Sequence, residues 1–254
     1  MTMNLFDLTG KRALITGSGG GIGLALARGL AEHGAQVVLN GRDPARLDVA
    51  ATQLRAEGHA VETVPFDVTD EAAVIAGVAQ VLAGGELHIL INNAGIQRRT
   101  PLTDVTLELW NEVLTANLTA AMLVSREVAP HLLARGSGKV VNILSLMSEL
   151  GRKTIAPYTA AKGGLKMLTR AMCAEWAAGG VQVNGIGPGY FTTEMNQALL
   201  ADAAFTTWIE ARTPAGRWGD PSELVGAAVF LSSEASNFVN GQVVYVDGGL
   251  LAVL

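Results

Sequence analysis

The chain has 254 residues, of which 49% are hydrophobic and 16% are charged, a balance that suits one globular domain with a large core. Its formal net charge is -5 and its cations are scattered, so the basic patch that a nucleic acid would need is missing. The one cysteine, Cys173, excludes an intrachain disulfide and disfavours a cysteine metal cluster, so we interpret it as a packing residue and expect no metal site.

The N-terminal stretch, residues 1–8, lacks a basic start followed by an apolar run of signal-peptide length. No later stretch approaches the ~20 consecutive apolar residues that a membrane helix requires. We therefore expect a cytoplasmic protein without a membrane partner.

Short apolar runs alternate with segments of helical periodicity along the whole chain. The pattern predicts strands at 11–16, 36–39, 60–65, 88–91, 139–144, 182–186 and 242–246, and helices at 22–33, 44–57, 71–82, 107–134, 157–178 and 221–231. Such alternation is typical of an α/β fold, here a Rossmann-like doubly wound parallel sheet of about seven strands with helices on both faces. We expect a single domain, 1–254, with a dinucleotide-binding half at about 1–135 and a catalytic and substrate half at about 136–254.

A glycine-rich turn, residues 16–23, joins the first strand to the first helix. Gly17 and Gly21 let the backbone approach a pyrophosphate, and Gly23 lets the helix pack on the strand. The helix N-terminus supplies amide donors for the same phosphates. Because no Gly-Lys-Ser/Thr sequence follows, the turn is not a Walker loop, and it predicts dinucleotide binding.

The second strand ends in Asn40, Gly41 and Arg42, with no acid to bind both ribose hydroxyls of NAD. Arg42 can instead pair with a 2′-phosphate. Residues 18–20 of the glycine turn are uncharged, so the turn itself supplies no second cation for that phosphate. We expect NADP(H) to be preferred and NAD to be possible.

The helix predicted at 107–134 contains two residues that helix interiors disfavour. Pro130 should kink the helix or loosen its last turns. Asn117 is unfavourable there unless something uses its side chain, and the alternative is a solvent-facing or capping role.

Ser145 follows the fifth strand, and Tyr158 and Lys162 lie four residues apart in the next helix. Residues at this spacing share one helix face, so the Lys162 ammonium can sit beside the Tyr158 phenol. A neighbouring cation lowers a tyrosine pKa from about 10 because it favours the phenolate. The pair could also be an ordinary surface pair, so the motif alone does not establish a catalytic base.

Residues 190–220 show weak periodicity, with Thr, Trp and Pro scattered through them, which is typical of a mobile segment that covers a site. Two apolar helix faces, at 108–134 and 157–178, and the apolar tail at 250–254 are consistent with subunit contacts or with intrachain core.

Together these motifs resemble the classical short-chain dehydrogenase/reductase family. The matching pieces occur in the family's order and spacing, at residues 16–23, 67–68, 92–95, 117, 145, 158, 162 and 188–193. The resemblance implies that Tyr158 is the catalytic acid/base and that Lys162 lowers its pKa and holds the nicotinamide ribose. It also implies that Ser145 binds the substrate oxygen, that Asn117 holds a proton-relay water, and that the protein is a homotetramer.

The resemblance also implies a set of cofactor contacts. The residues at 67–68 would meet the adenine, those at 93–95 the ribose side, and those at 188–193 the carboxamide end. With the glycine turn and the end of the second strand, the expected cofactor-binding residues are Gly17, Ser18, Gly21, Ile22, Gly23, Asn40, Gly41, Arg42, Asp67, Val68, Asn93, Ala94, Gly95, Tyr158, Lys162, Pro188, Gly189, Phe191 and Thr193.

A narrower resemblance is to the gluconate 5-dehydrogenases, which interconvert D-gluconate and 5-dehydro-D-gluconate, and it rests on residues 93–99, 185–191 and 212–219. A gluconate carboxylate needs a cation, and the candidates are Arg98, Arg99, Arg152 and Lys153, of which we favour Arg99. Glu149 could accept hydrogen bonds from sugar hydroxyls. The expected substrate-binding residues are Arg99, Ser145, Glu149, Tyr158 and Tyr190.

Other functions remain compatible with the sequence. A polyol or other sugar-acid dehydrogenase would share most of these motifs. A 3-oxoacyl thioester reductase should present a basic docking surface, which the pairs at 98–99 and 152–153 leave open. A non-catalytic nucleotide-sensing protein on the same fold is disfavoured, because a sensor has no use for a complete group of Ser145, Asn117, Tyr158 and Lys162.

Overall fold

A computed structural model describes residues 4–254 of the protein, so the first three residues of the N-terminal stretch lie outside it. A seven-stranded parallel sheet with the order β3-β2-β1-β4-β5-β6-β7 forms its centre. The strands are β1 (Arg12–Ile15), β2 (Gln36–Leu39), β3 (Val61–Thr63), β4 (Ile89–Asn92), β5 (Gly138–Ile143), β6 (Val181–Pro188) and β7 (Val243–Val246). The predicted fold class is confirmed.

Nine α-helices surround the sheet within the described residues. They are α1 (Gly21–Glu32), α2 (Pro44–Ala56), α3 (Glu71–Ala83), α4 (Leu107–Leu114), α5 (Ala120–Arg135), α6 (Ala156–Trp176), α7 (Gln197–Leu200), α8 (Ala203–Arg212) and α9 (Val225–Ser232). None of these helices is long and apolar enough to cross a membrane.

The central strands are apolar runs because helices cover both of their faces. Every residue of β1, β4 and β5 is buried, as expected for parallel strands packed on two sides. Successive side chains of β1 alternate between two core clusters: Ile15 packs with α1, α2 and α9, while Leu14 packs with α3 and α5.

The strand order reverses between β1 and β4, which are neighbours in the sheet. The chain runs outward from β1 through β2 to β3 and then returns to the centre as β4. In open α/β sheets, ligands bind in the crevice at the carboxyl ends of the strands where this reversal occurs. The glycine turn after β1 and residues 93–95 after β4 therefore face one crevice.

The helix predicted at 107–134 is divided in the structure, and its last turns continue past the proline. A single π-helical turn, Thr115–Thr119, separates α4 from α5. Pro130 does not end the helix, because α5 continues through it to Arg135. Val128 and Leu132, which flank the proline, are buried against the sheet, and this packing holds the turns that the missing N–H would otherwise weaken.

The covering segment, residues 190–220, has more structure than its weak periodicity indicates. It contains the short helices α7 and α8, and Leu199, Ile209 and Trp218 form a small core of its own, with Tyr190 and Phe205 packed against it. Because α8 is only ten residues long and its buried side chains contact other short elements, no long apolar stripe marks it in the sequence.

Candidate active site

A cleft of about 900 Å³ opens at the carboxyl edge of the sheet. Its walls come from the glycine turn, the segments after β2, β4, β5 and β6, the start of α6 and the covering segment. Of the residues expected from the sequence, those that line the cleft are Gly17, Gly21, Ile22, Gly23, Asn40, Gly41, Arg42, Asp67, Val68, Asn93, Ala94, Gly95, Asn117, Ser145, Tyr158, Lys162, Pro188, Gly189, Tyr190, Phe191 and Thr193. Ser18, Arg99 and Glu149 do not line it.

The glycine turn is held tightly against the end of β4. Gly17 has a φ of +64°, and a Cβ there would lie 2.9 Å from the Cα atom of Ala94. The Thr16 hydroxyl accepts hydrogen bonds from the backbone amides of Asn93 and Ala94, at 3.0 and 3.1 Å. At Gly21 the φ is +54° and the space that a Cβ would occupy is open. This cradle, at the N-terminus of α1, fits the pyrophosphate of a dinucleotide.

Ser18 supports the turn from inside the protein. Its side chain is fully buried and donates to the carbonyl of Ile15 at 2.7 Å, while it accepts from the Asn40 amide at 3.0 Å. The backbone amide of Ser18 donates to the carbonyl of Asn40 at 2.9 Å. The hydroxyl and the backbone N–H of Ser18 are thus used within the fold, which differs from the expected cofactor contact.

The end of β2 combines a structural residue with an exposed cation. Asn40 donates from Nδ2 to the carbonyls of Val64 and Phe66, at 3.2 and 3.1 Å, and so ties β2 to the segment after β3. The Arg42 side chain is 72% exposed, and its Nη1 lies 3.7 Å from the Asp67 carboxylate. Burial alone would raise the pKa of Asp67, but hydrogen bonds from Thr69 and the Arg42 charge bring it below its usual value.

Arg46 is a cleft residue that the sequence reasoning missed. It lies in the first turn of α2, and its Nε donates to the carbonyl of Gly19 at 3.0 Å. Its Nη2 pairs with Glu194 of the covering segment at 2.6 Å. A basic group thus lies against the glycine turn although the turn itself is uncharged. The signal in the sequence was the position of Arg46 in the first turn of the helix predicted directly after Arg42.

Asn117 lies in the π-helical turn and is buried. Its Nδ2 donates to the carbonyls of Ile96 and Val113, both at 2.8 Å. Its Oδ1 is buried without a hydrogen-bond partner among residues 4–254, and a Cβ on Gly95 would come within 2.5 Å of it. π-Helical turns occur often at functional sites, and a buried acceptor without a partner fits a bound polar molecule.

Ser145, Tyr158 and Lys162 come together at the floor of the cleft. The Ser145 hydroxyl accepts from the Met147 amide at 3.1 Å and is hydrogen-bonded with the Tyr158 side chain. The Nζ of Lys162 is 5.6 Å from the centre of the Tyr158 ring and donates to the carbonyl of Ile143 at 2.7 Å. The three side chains that the sequence singled out therefore form one group.

Burial dominates the ionisation of this group. It raises the pKa of the Tyr158 phenol above its usual value, and the hydrogen bond with Ser145 offsets only part of the rise. It lowers the pKa of Lys162 to about 8. The expected lowering of the Tyr158 pKa by Lys162 is not the dominant effect in this structure, because the cost of burying a phenolate is larger and the ammonium is directed to the Ile143 carbonyl. That role of Lys162 stays a prediction.

Two expected substrate contacts lie outside the cleft lining. Glu149 pairs with Lys166 and accepts a 2.5 Å hydrogen bond from the Tyr245 hydroxyl, so its carboxylate is already engaged away from the cleft. Arg99 is bonded to Gln97 at 3.0 Å, whereas Arg152, a weaker candidate from the sequence, lines the cleft beside Tyr190. Among residues 4–254, no group of His, Cys, Asp or Glu side chains is arranged to hold a metal ion.

A dinucleotide cradle beside a Ser-Tyr-Lys group defines an NAD(P)-dependent oxidoreductase. A family model described as enoyl-(acyl carrier protein) reductase matches residues 17–251, and the chain belongs to the short-chain dehydrogenase/reductase family.

Several relatives match nearly the whole chain. A gluconate 5-dehydrogenase of Gluconobacter oxydans is 55% identical over 99% of this chain and 98% of its own length. A 5-keto-D-gluconate 5-reductase of Escherichia coli K12 is 52% identical over 99% of both chains. The crystal structure of a gluconate 5-dehydrogenase from Burkholderia cenocepacia, in complex with NADP and tartrate, is 53% identical over 99% of both chains, with a TM-score of 0.97.

Proposed function

We propose that this protein transfers hydride between NADP(H) and a sugar acid, and that it interconverts D-gluconate and 5-dehydro-D-gluconate. The grouping of Ser145, Tyr158 and Lys162 beside the glycine cradle carries the reaction type. The substrate is supported by relatives named for this reaction at 52–55% identity over the whole chain.

Proton transfer is assigned to Tyr158. In ketone reduction its phenol donates a proton to the carbonyl oxygen, and in the reverse direction its phenolate takes the proton from the hydroxyl. When bound, the nicotinamide donates or accepts the hydride. Because burial raises the pKa of Tyr158, the phenol is protonated near neutral pH, and this form is the one that ketone reduction needs.

The neighbouring polar groups position the reactants. Ser145 donates a hydrogen bond to the reacting oxygen and holds it beside the Tyr158 hydroxyl. Lys162 binds the nicotinamide ribose, and its ammonium favours the phenolate when oxidation requires it. The unpaired Oδ1 of Asn117 accepts a bond from a water that relays protons towards solvent.

The preference for NADP is assigned to two arginines at the start of α2. Arg42 is exposed at the end of β2, and Arg46 lies against the glycine turn. Both can pair with a 2′-phosphate. The Burkholderia cenocepacia relative, which was solved with NADP, supports this choice. NAD stays possible as a weaker cofactor.

The substrate carboxylate is assigned to the loop after β4, where Arg99 has no acidic partner among the described residues. Tyr190 lines the same end of the cleft. A thioester reductase with a carrier-protein substrate is disfavoured, because Arg98 at the cleft mouth is already paired with Glu112 at 2.6 Å and is less available for docking.

The decisive experiment is a turnover assay of purified enzyme with a panel of sugar acids, polyols and a 3-oxoacyl thioester, each with NADP(H) and NAD(H). We expect oxidation of D-gluconate and reduction of 5-dehydro-D-gluconate, faster with the phosphorylated cofactor. Activity confined to the thioester, or no turnover of any sugar acid, would reject the proposal. A homotetramer, tested by light scattering, and a cytoplasmic location, tested by fractionation, are further proposals from the family resemblance.

A further inference from the structure

Four arginines line the cleft, and three of them are paired with carboxylates. These pairs are Arg42 with Asp67, Arg46 with Glu194 and Arg98 with Glu112, at N···O distances of 3.7, 2.6 and 2.6 Å. Arg152 is the fourth, and no carboxylate among residues 4–254 lies within ion-pairing distance of it. The charge of Arg152 is therefore available to a ligand.

A second cation lies close to Arg152. Burial, and then the Arg152 charge, lower the pKa of the Arg99 guanidinium, so the two groups lie within each other's field. Within the described part of the chain Arg99 also lacks a carboxylate partner, and its Nη2 donates to the neutral Gln97 side chain. Two neighbouring cations repel each other, and an anion bound between them would remove that cost.

The loops that carry the two arginines are fixed against each other. Thr154 has a φ of +69°, a left-handed conformation that is costly for a β-branched residue. Its carbonyl accepts a 2.8 Å hydrogen bond from the amide of Thr100, which follows Arg99 directly. The strained turn thus holds Arg152 beside the Arg99 loop, as a preorganised anion site requires.

The covering segment orients the Arg152 guanidinium. Its Cζ lies 4.4 Å from the centre of the Phe205 ring, and its Nη1 donates to the Tyr190 hydroxyl oxygen at 3.5 Å. The two aromatic rings pack edge to face, with centroids 5.7 Å apart. No described residue accepts from Nε or Nη2 of Arg152, and these two N–H groups form the edge of a guanidinium that binds a carboxylate in a bidentate manner.

We propose that Arg152, together with Arg99, binds the carboxylate of the sugar acid through this free Nε and Nη2 edge. The inference rests on the proposed sugar-acid reaction in the same cleft. It makes Arg152 a specificity-determining residue, because a neutral substrate of the same length leaves both cations uncompensated. Phe205 is then a positioning residue that holds the Arg152 guanidinium towards the ligand.

The test compares two substrates that differ only in charge, D-gluconate and its neutral amide, D-gluconamide, at saturating NADP. The wild-type enzyme should prefer the acid. Arg152→Gln should lower the ratio of kcat/KM for acid over amide by about ten- to hundredfold, the range expected for a lost hydrogen bond to a charged group. The loss should lie mainly in KM for the acid, and NADP affinity by fluorescence titration should stay unchanged, which shows that the cleft is folded.

Matched variants separate charge recognition from a structural role. Arg98→Gln removes a cleft arginine that has its own carboxylate, so it should leave the ratio unchanged. Arg152→Lys keeps the positive charge but loses the bidentate guanidinium edge, so its ratio should lie between those of Arg152→Gln and the wild type. Phe205→Leu should lower the ratio less than Arg152→Gln does. The double variant Arg99→Gln/Arg152→Gln should lose less than the product of the single effects, since both residues act on one carboxylate.

Two results would overturn the inference while leaving the proposed function intact. One is an unchanged acid-to-amide ratio in Arg152→Gln, with the wild type oxidising gluconate. The other is an equal loss with both substrates, which a merely structural role would produce. Failure of the wild-type enzyme to oxidise any sugar acid would instead reject the proposed function, and this inference with it.

Discussion

Lys162 holds its ammonium 5.6 Å from the centre of the Tyr158 ring, and this ammonium donates its 2.7 Å hydrogen bond to the carbonyl of Ile143. The lysine is thus anchored to the end of β5 and does not depend on the tyrosine for its position. Burial is the largest effect on the Tyr158 phenol and raises its pKa. The two residues can therefore be separated by mutation.

Tyr158→Phe should lower turnover by about 10²- to 10⁴-fold in both directions, because it removes the proton donor and acceptor while keeping the ring. NADP should still bind, since the Lys162 bond to Ile143 does not involve the phenol. Absorbance of NADPH measures turnover, and fluorescence titration measures cofactor binding. Appreciable sugar-acid oxidation by this variant would contradict the assigned mechanism.

Lys162→Met should change how stability depends on pH. Burial lowers the pKa of Lys162 to about 8 from its usual value of 10.5, so the unfolded chain binds more protons at this group than the native protein does between those values. Stability therefore rises with pH in this window, and between pH 7 and 9.5 the lysine should contribute a gain of about 2 kcal/mol.

That gain should be missing in Lys162→Met. Urea unfolding of both proteins at pH 7 and 9.5 measures the difference, and equal pH slopes would contradict it. The methionine variant should also lose turnover and NADP affinity together, because the lysine is assigned to both the phenolate and the ribose.

Ser145→Ala should lower kcat by roughly 10²- to 10³-fold, the range found when one donor to a developing oxyanion is removed. NADP affinity should change little, because the hydroxyl is assigned to the reacting oxygen. The variant also deprives the Met147 amide of its 3.1 Å hydrogen bond, so a melting curve is the control for local damage. A large rise in the dissociation constant of NADP would show that the serine supports the cofactor site instead.

The fold and the catalytic group were predictable from the sequence for a physical reason. Buried parallel strands are continuous apolar runs, and the spacing of Tyr158 and Lys162 fixes them on one face of a helix whatever the rest of the chain does. Residues whose role depends on which distant side chains they contact in the folded protein were not predictable. Glu149 follows β5 closely, but its carboxylate turns to Lys166 and Tyr245, and Tyr245 lies 96 positions away in the chain.

Arg46 is a second residue whose role depends on contacts with a distant part of the chain, and here the sequence analysis missed a residue that does line the cleft. The glycine turn has no basic residue in sequence, yet the packing of α2 brings a guanidinium to the carbonyl of Gly19. Pro130 was expected to kink its helix or loosen its last turns, and the helix continues through it to Arg135 with Val128 and Leu132 buried on either side. In each case the outcome depends on contacts between distant elements, which propensity and periodicity do not encode.

Arg42→Ala should raise KM for NADP by about ten- to hundredfold and leave KM for NAD nearly unchanged, because the exposed guanidinium is assigned to the 2′-phosphate alone. Steady-state kinetics with both cofactors measure the two constants. Equal effects on NADP and NAD would mean that Arg42 acts through Asp67, its 3.7 Å partner.

Glu194→Gln should tighten NADP binding, since the Glu194 carboxylate pairs with the Arg46 guanidinium that a 2′-phosphate would use. The Arg46 to Glu194 distance is 2.6 Å, with side chains 49% and 70% exposed. Exposed ion pairs contribute about 0.2–1 kcal/mol, so removing the competing carboxylate should lower the dissociation constant of NADP by about two- to fivefold. The gain should shrink at high salt, and NAD affinity should stay constant.

A matched control for Glu194→Gln is Glu223→Gln, which removes an exposed carboxylate paired with Arg217 at 2.7 Å outside the cleft lining. It should leave both cofactor affinities unchanged. Adding Arg46→Ala should abolish the gain from Glu194→Gln, because the carboxylate then has no cation for which to compete. If Glu194→Gln instead weakens NADP and NAD alike, the pair serves to anchor the covering segment to the glycine turn, and Arg42 alone must recognise the 2′-phosphate.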